Sequence, residues 1–173
     1  DITNILSSSL NLQESVTKIF SLLNSQFGFM KAILTLTSKF YDKLDINVSF
    51  GISPKEIESK SFKKWKEITK LVLSSEKPVI IPHLEKDSKI FGEHQTLNLD
   101  EESFICVPLI LGSEKFGTLS VDLAFRSDEE LSQVSRLISI ISLMIAQEVR
   151  LIRLADIEKN FLRLENIKLK EDI

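Results

Sequence analysis

A chain of 173 residues, 43% hydrophobic and 27% charged, carries enough apolar material for one sizeable core and is too apolar to be disordered over most of its length. Its formal net charge of -3, with lysine and glutamate interspersed, leaves no basic face for direct contact with nucleic acid. A single cysteine excludes an internal disulfide and a cysteine zinc cluster. With no signal peptide and no bilayer-length apolar run, the expected location is the cytoplasm, with no membrane partner.

In chain order, apolar residues at Ile2, Ile5, Leu6, Leu12, Val16, Ile19, Phe20, Leu23 and Phe27 follow helical spacing. The run SSSLN interrupts the pattern, and Asn11 with Glu14 has the form of a capping box. Together they predict a short first helix and a second one from Leu12 that Gly28 ends. Residues 30–38 and 44–50 alternate with a period of two about the KFYDK turn, which predicts an antiparallel strand pair. Pro54 opens a helical pattern reaching Ser75, and residues 79–81, between Pro78 and Pro82, predict a short buried strand.

Residues 83–102 have no clear period, the character of a lid or binding loop. Two apolar runs, 104–111 and 116–124, joined through GSEK, predict a hairpin. Ser127 and Glu130 then cap a helix whose inner face is Leu131, Val134, Leu137, Ile138, Ile141, Ile145, Val149 and Ile152. The pattern runs on to the last residue without Gly or Pro. A helix of this length spans roughly 65–70 Å and needs a partner outside a small domain. The expected fold class is α+β, a five-stranded and mainly antiparallel sheet with the terminal helices on one face and the lid loop on the other.

Little in the sequence points to catalysis. His83 and His94 lie in the irregular segment and Cys106 lies mid-strand, which reads as solvated imidazoles and a small core thiol. A Cys106 nucleophile with a loop histidine is the enzymatic alternative. The two histidines lack the spacing of helix or hairpin metal ligands, and no glycine-rich phosphate cradle is present. Gly112 and Gly117 read as a turn and a close approach to a neighbouring strand.

The strand faces carry more information. Thr35, Thr37, Asn47, Ser49, Thr118, Ser120 and Asp122 alternate with Leu34, Leu36, Val48, Phe50, Leu119 and Val121, so one face is apolar and the other semi-polar. The semi-polar face is either solvent-exposed or a pocket under the lid. In the second case Thr35, Thr37, Ser120 and Asp122 orient a small ligand, Trp65 and Phe91 close it or form plain core, and Lys89 or Lys86 meets an anion.

Three stretches, ILSSSLNLQESV, LSSEKPVIIP and SFICVPLILGSEKFGTLSVD, in this order, resemble a GAF domain, a small-molecule sensing module of signalling proteins. The last is similar to the family's VPL, short turn, GxLxxD hairpin, and the resemblance spans about residues 2–150. More narrowly, the chain looks like the N-terminal GAF domain of NifA-type activators that work with sigma-54. That resemblance implies a GAF domain over 1–150 and a C-terminal signalling helix over 151–173, leading through LENIKLKED toward an attached AAA+ ATPase beyond Ile173. It also implies a homodimer through Ile145, Ile152, Leu154, Ile157, Phe161 and Leu164, without catalysis, cofactor or metal. The effector would be a small molecule, such as 2-oxoglutarate, or a regulatory protein; a ligand-free dimerisation clamp is the alternative.

The departures narrow this further. The NKxnFDE motif of cyclic-nucleotide members is missing, and the reductase members need several cysteines. Cys106 does not match a bilin attachment site. Glu102 and Phe104 stand where iron-binding relatives have His and Cys, although Asp122 matches their carboxylate.

Overall fold

The computed structural model describes residues 2–38, 43–58, 62–84 and 102–171, with side chains from Leu10 onward. Helix α1 (Ile2–Phe27) leads into β1 (Phe29–Thr37) and β2 (Leu44–Phe50). Helices α2 (Pro54–Ile57) and α3 (Lys63–Ser75) follow, then β3 (Val79–Ile81), β4 (Glu102–Leu111), β5 (Glu114–Ala124) and α4 (Asp128–Glu171). The strands form one sheet in the order β2-β1-β5-β4-β3, and every neighbouring pair is antiparallel.

The element order matches the expected one, with two differences. Helix α1 is continuous where a break at SSSLN was expected, and Asn11 is an exposed position inside it rather than a cap. Serine and asparagine cost a helix only a few tenths of a kcal/mol each, about what neighbouring turns and docking of the apolar face absorb. The single helix expected from Pro54 to Ser75 is instead α2, with Ser53 and Glu56 in a capping box, and a separate α3.

Helices α1 and α4 lie together on one sheet face. Val16, Phe20, Leu23, Leu131, Val134, Ile138, Ile145 and Val149 meet Ala32, Leu34, Ile105, Val107, Leu119 and Val121 in the main core. The first half of α4 has one inner face because its apolar residues recur every three or four positions. Beyond Arg153 the apolar positions turn to solvent: Leu154, Ile157, Phe161 and Leu164 are all more than half exposed. Ile145 is therefore a core residue and Ile152 packs against the same core, as the periodicity indicates, although the resemblance assigned both to the dimer stripe.

Helix α3 lies on the opposite face over a smaller cluster of Ile33, Phe62, Trp65, Val72, Leu84, Phe104 and Cys106. A bulge between Leu34 and Thr35 shifts the β1–β2 register, so Ile46 rather than Asn47 opposes Thr35. The carbonyl of Asn47 accepts a hydrogen bond from Gln13 Nε2 of α1 at 3.2 Å. The semi-polar face is thus interrupted on β2.

Candidate functional site

The hairpin of β4 and β5 supplies most of the α3-side face. Its turn is shorter than GSEK suggests, Leu111 pairing with Glu114 across Gly112 and Ser113. Gly117 is required by packing, because a Cβ there would stand 1.9 Å from the carbonyl oxygen of Thr35 on β1. This close approach brings Thr118 against Thr35, where the two hydroxyls lie 2.6 Å apart and the Thr118 amide donates to Thr35 Oγ1 at 3.1 Å.

Further along β5, Ser120 Oγ accepts from Trp65 Nε1 at 3.0 Å and lies 3.6 Å from Cys106 Sγ. Thr35, Thr118, Ser120 and Cys106 are all essentially inaccessible. The centre of the face is therefore neither solvent-exposed nor an open pocket: α3 seals it, and its polar atoms satisfy one another. Burial pushes the Cys106 thiol up to about 12, although Ser120 and Thr118 oppose it by hydrogen bonding. A thiol held protonated in this way is a poor nucleophile.

At the end of the sheet near β3, three charged side chains converge. Lys31 of β1 is the register partner of Asp122 on β5, and Glu102 opens β4 one strand over. All three are at most 2% exposed. Burial raises Asp122 to about 8, with the charge of Glu102 adding to the rise and Lys31 opposing it. Glu102 is also raised by burial, and Lys31 is lowered by burial against the pull of Glu56, Asp122 and Glu102. Two hydrogen-bonded carboxyls beside one ammonium hold a proton between them at neutral pH, because ionising both would bury an uncompensated charge.

Glu102 Oε1 has no hydrogen-bond partner among the described residues. The cluster lies where residues 84 and 102 are joined, Leu84 N donating to Glu102 O at 3.0 Å and Ser103 Oγ to Pro82 O at 2.6 Å. Lys86, Lys89, Phe91 and His94, the other residues assigned to the lid, lie outside the described residues. His83 packs at a tilt of 55° against Phe125, with ring centroids 4.3 Å apart. Among the described residues no group of three or more His, Cys, Asp or Glu is placed to hold a metal ion.

At the other end of the face a cleft of about 700 Å³ opens between α3 and β2. Leu44, Ile46, Ile57, Trp65 and Leu73 form apolar walls, and Thr37 and Thr69 bring hydroxyls. The residues expected to form one pocket thus fall into three places: Thr35 and Ser120 in the sealed centre, Asp122 in the charged cluster, and Thr37 in the cleft, with Trp65 spanning centre and cleft. Sequence reasoning missed Lys31 and Glu102 as site residues. The available signal was a charge inside an otherwise apolar strand pattern, MKAIL and ESFIC.

No protein-family model matches the chain. Among curated proteins it is similar to the nitrogen fixation protein VnfA of Azotobacter vinelandii, 22% identical over 98% of this chain and 33% of that protein. It is also similar to a Nif-specific regulatory protein of Herbaspirillum seropedicae, 24% identical over the whole chain and 32% of that protein. The chain therefore spans about a third of the length of the curated relatives it matches. Among solved structures it superposes on the A. aeolicus nlh2 GAF domain in an inactive state with a TM-score of 0.57 at 19% identity, covering 85% of this chain and 98% of that one. A type II free methionine-R-sulfoxide reductase from Thermoplasma acidophilum gives a TM-score of 0.59 at 15% identity over 84% of this chain and 96% of that one. The fold is that of GAF domains, and a reductase shares it.

Proposed function

We propose that this chain is the regulatory sensor module of a Nif-type transcription activator. It dimerises through α4 and sets the activity of an attached AAA+ ATPase in response to an effector, a small molecule or a regulatory protein, held on the α3 side of the sheet. The observation that carries the proposal is the division of α4. Its first half is built into the core, while Leu154, Ile157, Phe161 and Leu164 continue the apolar spacing at 51–66% exposure. One rigid element thus belongs both to the sensing domain and to whatever covers that stripe.

The likeness to Nif regulators along the whole chain supports the regulatory role. On this reading residues 1–150 are the GAF domain and 151–173 the signalling helix. An effector acts by binding one arrangement of the α3 face better than another, since only a difference in affinity shifts an equilibrium. The sealed, protonated Cys106 favours a module without catalysis, as does the lack of a base near it among the described residues.

Sedimentation measurements test the dimer. The unmodified chain should sediment as a dimer at micromolar concentration, and Ile157→Glu/Phe161→Glu as a monomer with an unchanged circular dichroism spectrum. A monomeric unmodified chain would sink the seam. Effector binding is checked by thermal shift with 2-oxoglutarate and glutamine, since a ligand at a hundredfold excess over Kd adds about 2.7 kcal/mol of stability. A dimer that no ligand stabilises would instead support the ligand-free clamp.

A further inference from the structure

We infer that the cleft between α3 and β2 is a binding site for a small molecule with an apolar body and a doubly charged anionic head, of which a phosphate monoester is the simplest. Four lysines line it: Lys43 at the start of β2, Lys66 and Lys70 one helical turn apart on α3, and Lys115 at the start of β5. Asp45 is the single carboxylate in the lining among the described residues. Among the described residues the lining thus carries an excess of positive charge in a chain whose net charge is -3.

Lys115 is partly neutralised by Glu76, 3.7 Å away and exposed. Lys43, Lys66 and Lys70 form no ion pair among the described residues. Like charges held around one cavity repel each other, and a dianion between them removes that cost while accepting their hydrogen bonds. The same lining includes the apolar Leu44, Ile46, Ile57, Trp65 and Leu73, with Trp65 and Thr69 its buried members. Such a cavity suits an amphipathic anion better than a free inorganic one. The cleft's proposed ligand does not depend on the regulatory reading, since the cleft can bind in a chain that fails to dimerise, and the reverse.

Trp65 is the sole tryptophan and lines the cleft, so its fluorescence reports occupancy directly. Phenyl phosphate titrated into the 173-residue chain should quench or shift that emission, benzoate should bind more weakly, and phenol should have no saturable effect. In Lys66→Glu/Lys70→Glu the affinity for phenyl phosphate should fall by about tenfold or more, the order expected for reversing two exposed charges. The variant Lys18→Glu/Arg136→Glu makes the same charge change at exposed positions on the opposite helical layer and should bind as the unmodified chain does. No saturable response to phenyl phosphate at about 10 mM, well above a millimolar Kd, would overturn the inference. So would equal binding of phenol, or an equal loss in both charge variants.

Discussion

Gly117, Trp65 and Asp122 each carry a consequence that follows from a single contact. A methyl group at Gly117 meets the Thr35 carbonyl at 1.9 Å, and two hydrogen-bonded strands have no room to separate. Gly117→Ala should therefore destabilise the fold by on the order of 3 kcal/mol in urea denaturation. Trp65→Phe keeps an aromatic side chain but loses the donor to Ser120 Oγ and part of the buried ring volume, and should cost about 2 kcal/mol or more in the same measurement.

Asp122 makes a prediction about pH. Its carboxyl is raised from 3.8 to about 8 on folding, and Glu102 moves in the same direction. Across that window the folded state holds more protons at this group than the unfolded chain does, so its contribution to stability is fully present below about pH 4 and is lost as pH rises toward 8. Lys31 has the opposite sign, because its lowered pKa makes the folded state the proton-poor one in the window below 10.5. The urea midpoint should fall between pH 5 and pH 8, and Asp122→Asn should flatten most of the slope. A midpoint that rises over this range would contradict a shared proton.

At the scale of elements, α4 is tied to the sheet by a contact that helical periodicity does not reveal. Arg153 reaches past the end of β1 and donates to the Thr37 carbonyl at 2.6 Å and to Thr37 Oγ1 at 3.4 Å, with its guanidinium 5.4 Å from the Phe116 ring centre. Thr37 also lines the lysine-rich cleft, so one residue lies between α4 and the cavity on the other face. Arg153→Met keeps the apolar stem and should cost about 1–2 kcal/mol. Amide exchange in residues 150–157 should quicken while the earlier turns of α4 stay protected. Unchanged exchange there would show that Ile152 alone holds the helix down.

For the whole molecule, the division of α4 predicts that its exposed part contributes to stability only through association. A chain ending at Arg153 retains every helix residue assigned to the core and the Thr37 contact. Its m-value and circular dichroism per docked residue should match those of the full chain. The melting temperature of the full chain should rise with protein concentration, as mass action requires of a dimer, and that of the shortened chain should not. A full chain whose melting is independent of concentration would argue against a seam along Leu154, Ile157, Phe161 and Leu164.

The sequence by itself determined the order and type of the elements, and with them the GAF resemblance and the length of α4. Those properties rest on local signals: a period of two in the β4–β5 hairpin, a three-four spacing in α1 and α4, and Gly28 and Pro54 at element ends. Only the tertiary structure decided what becomes of the polar residues. Thr35, Ser120 and Asp122 share an alternating pattern, yet one is paired to Thr118, one to Trp65 and one to a buried carboxyl and lysine. The β1–β2 bulge exchanged Asn47 for Ile46, and the docking of α3 closed the centre of the face while leaving a cleft at its edge. Burial of a strand residue depends on which distant helix covers it and where a register slips by one. Neither is written in the residues beside it in the chain.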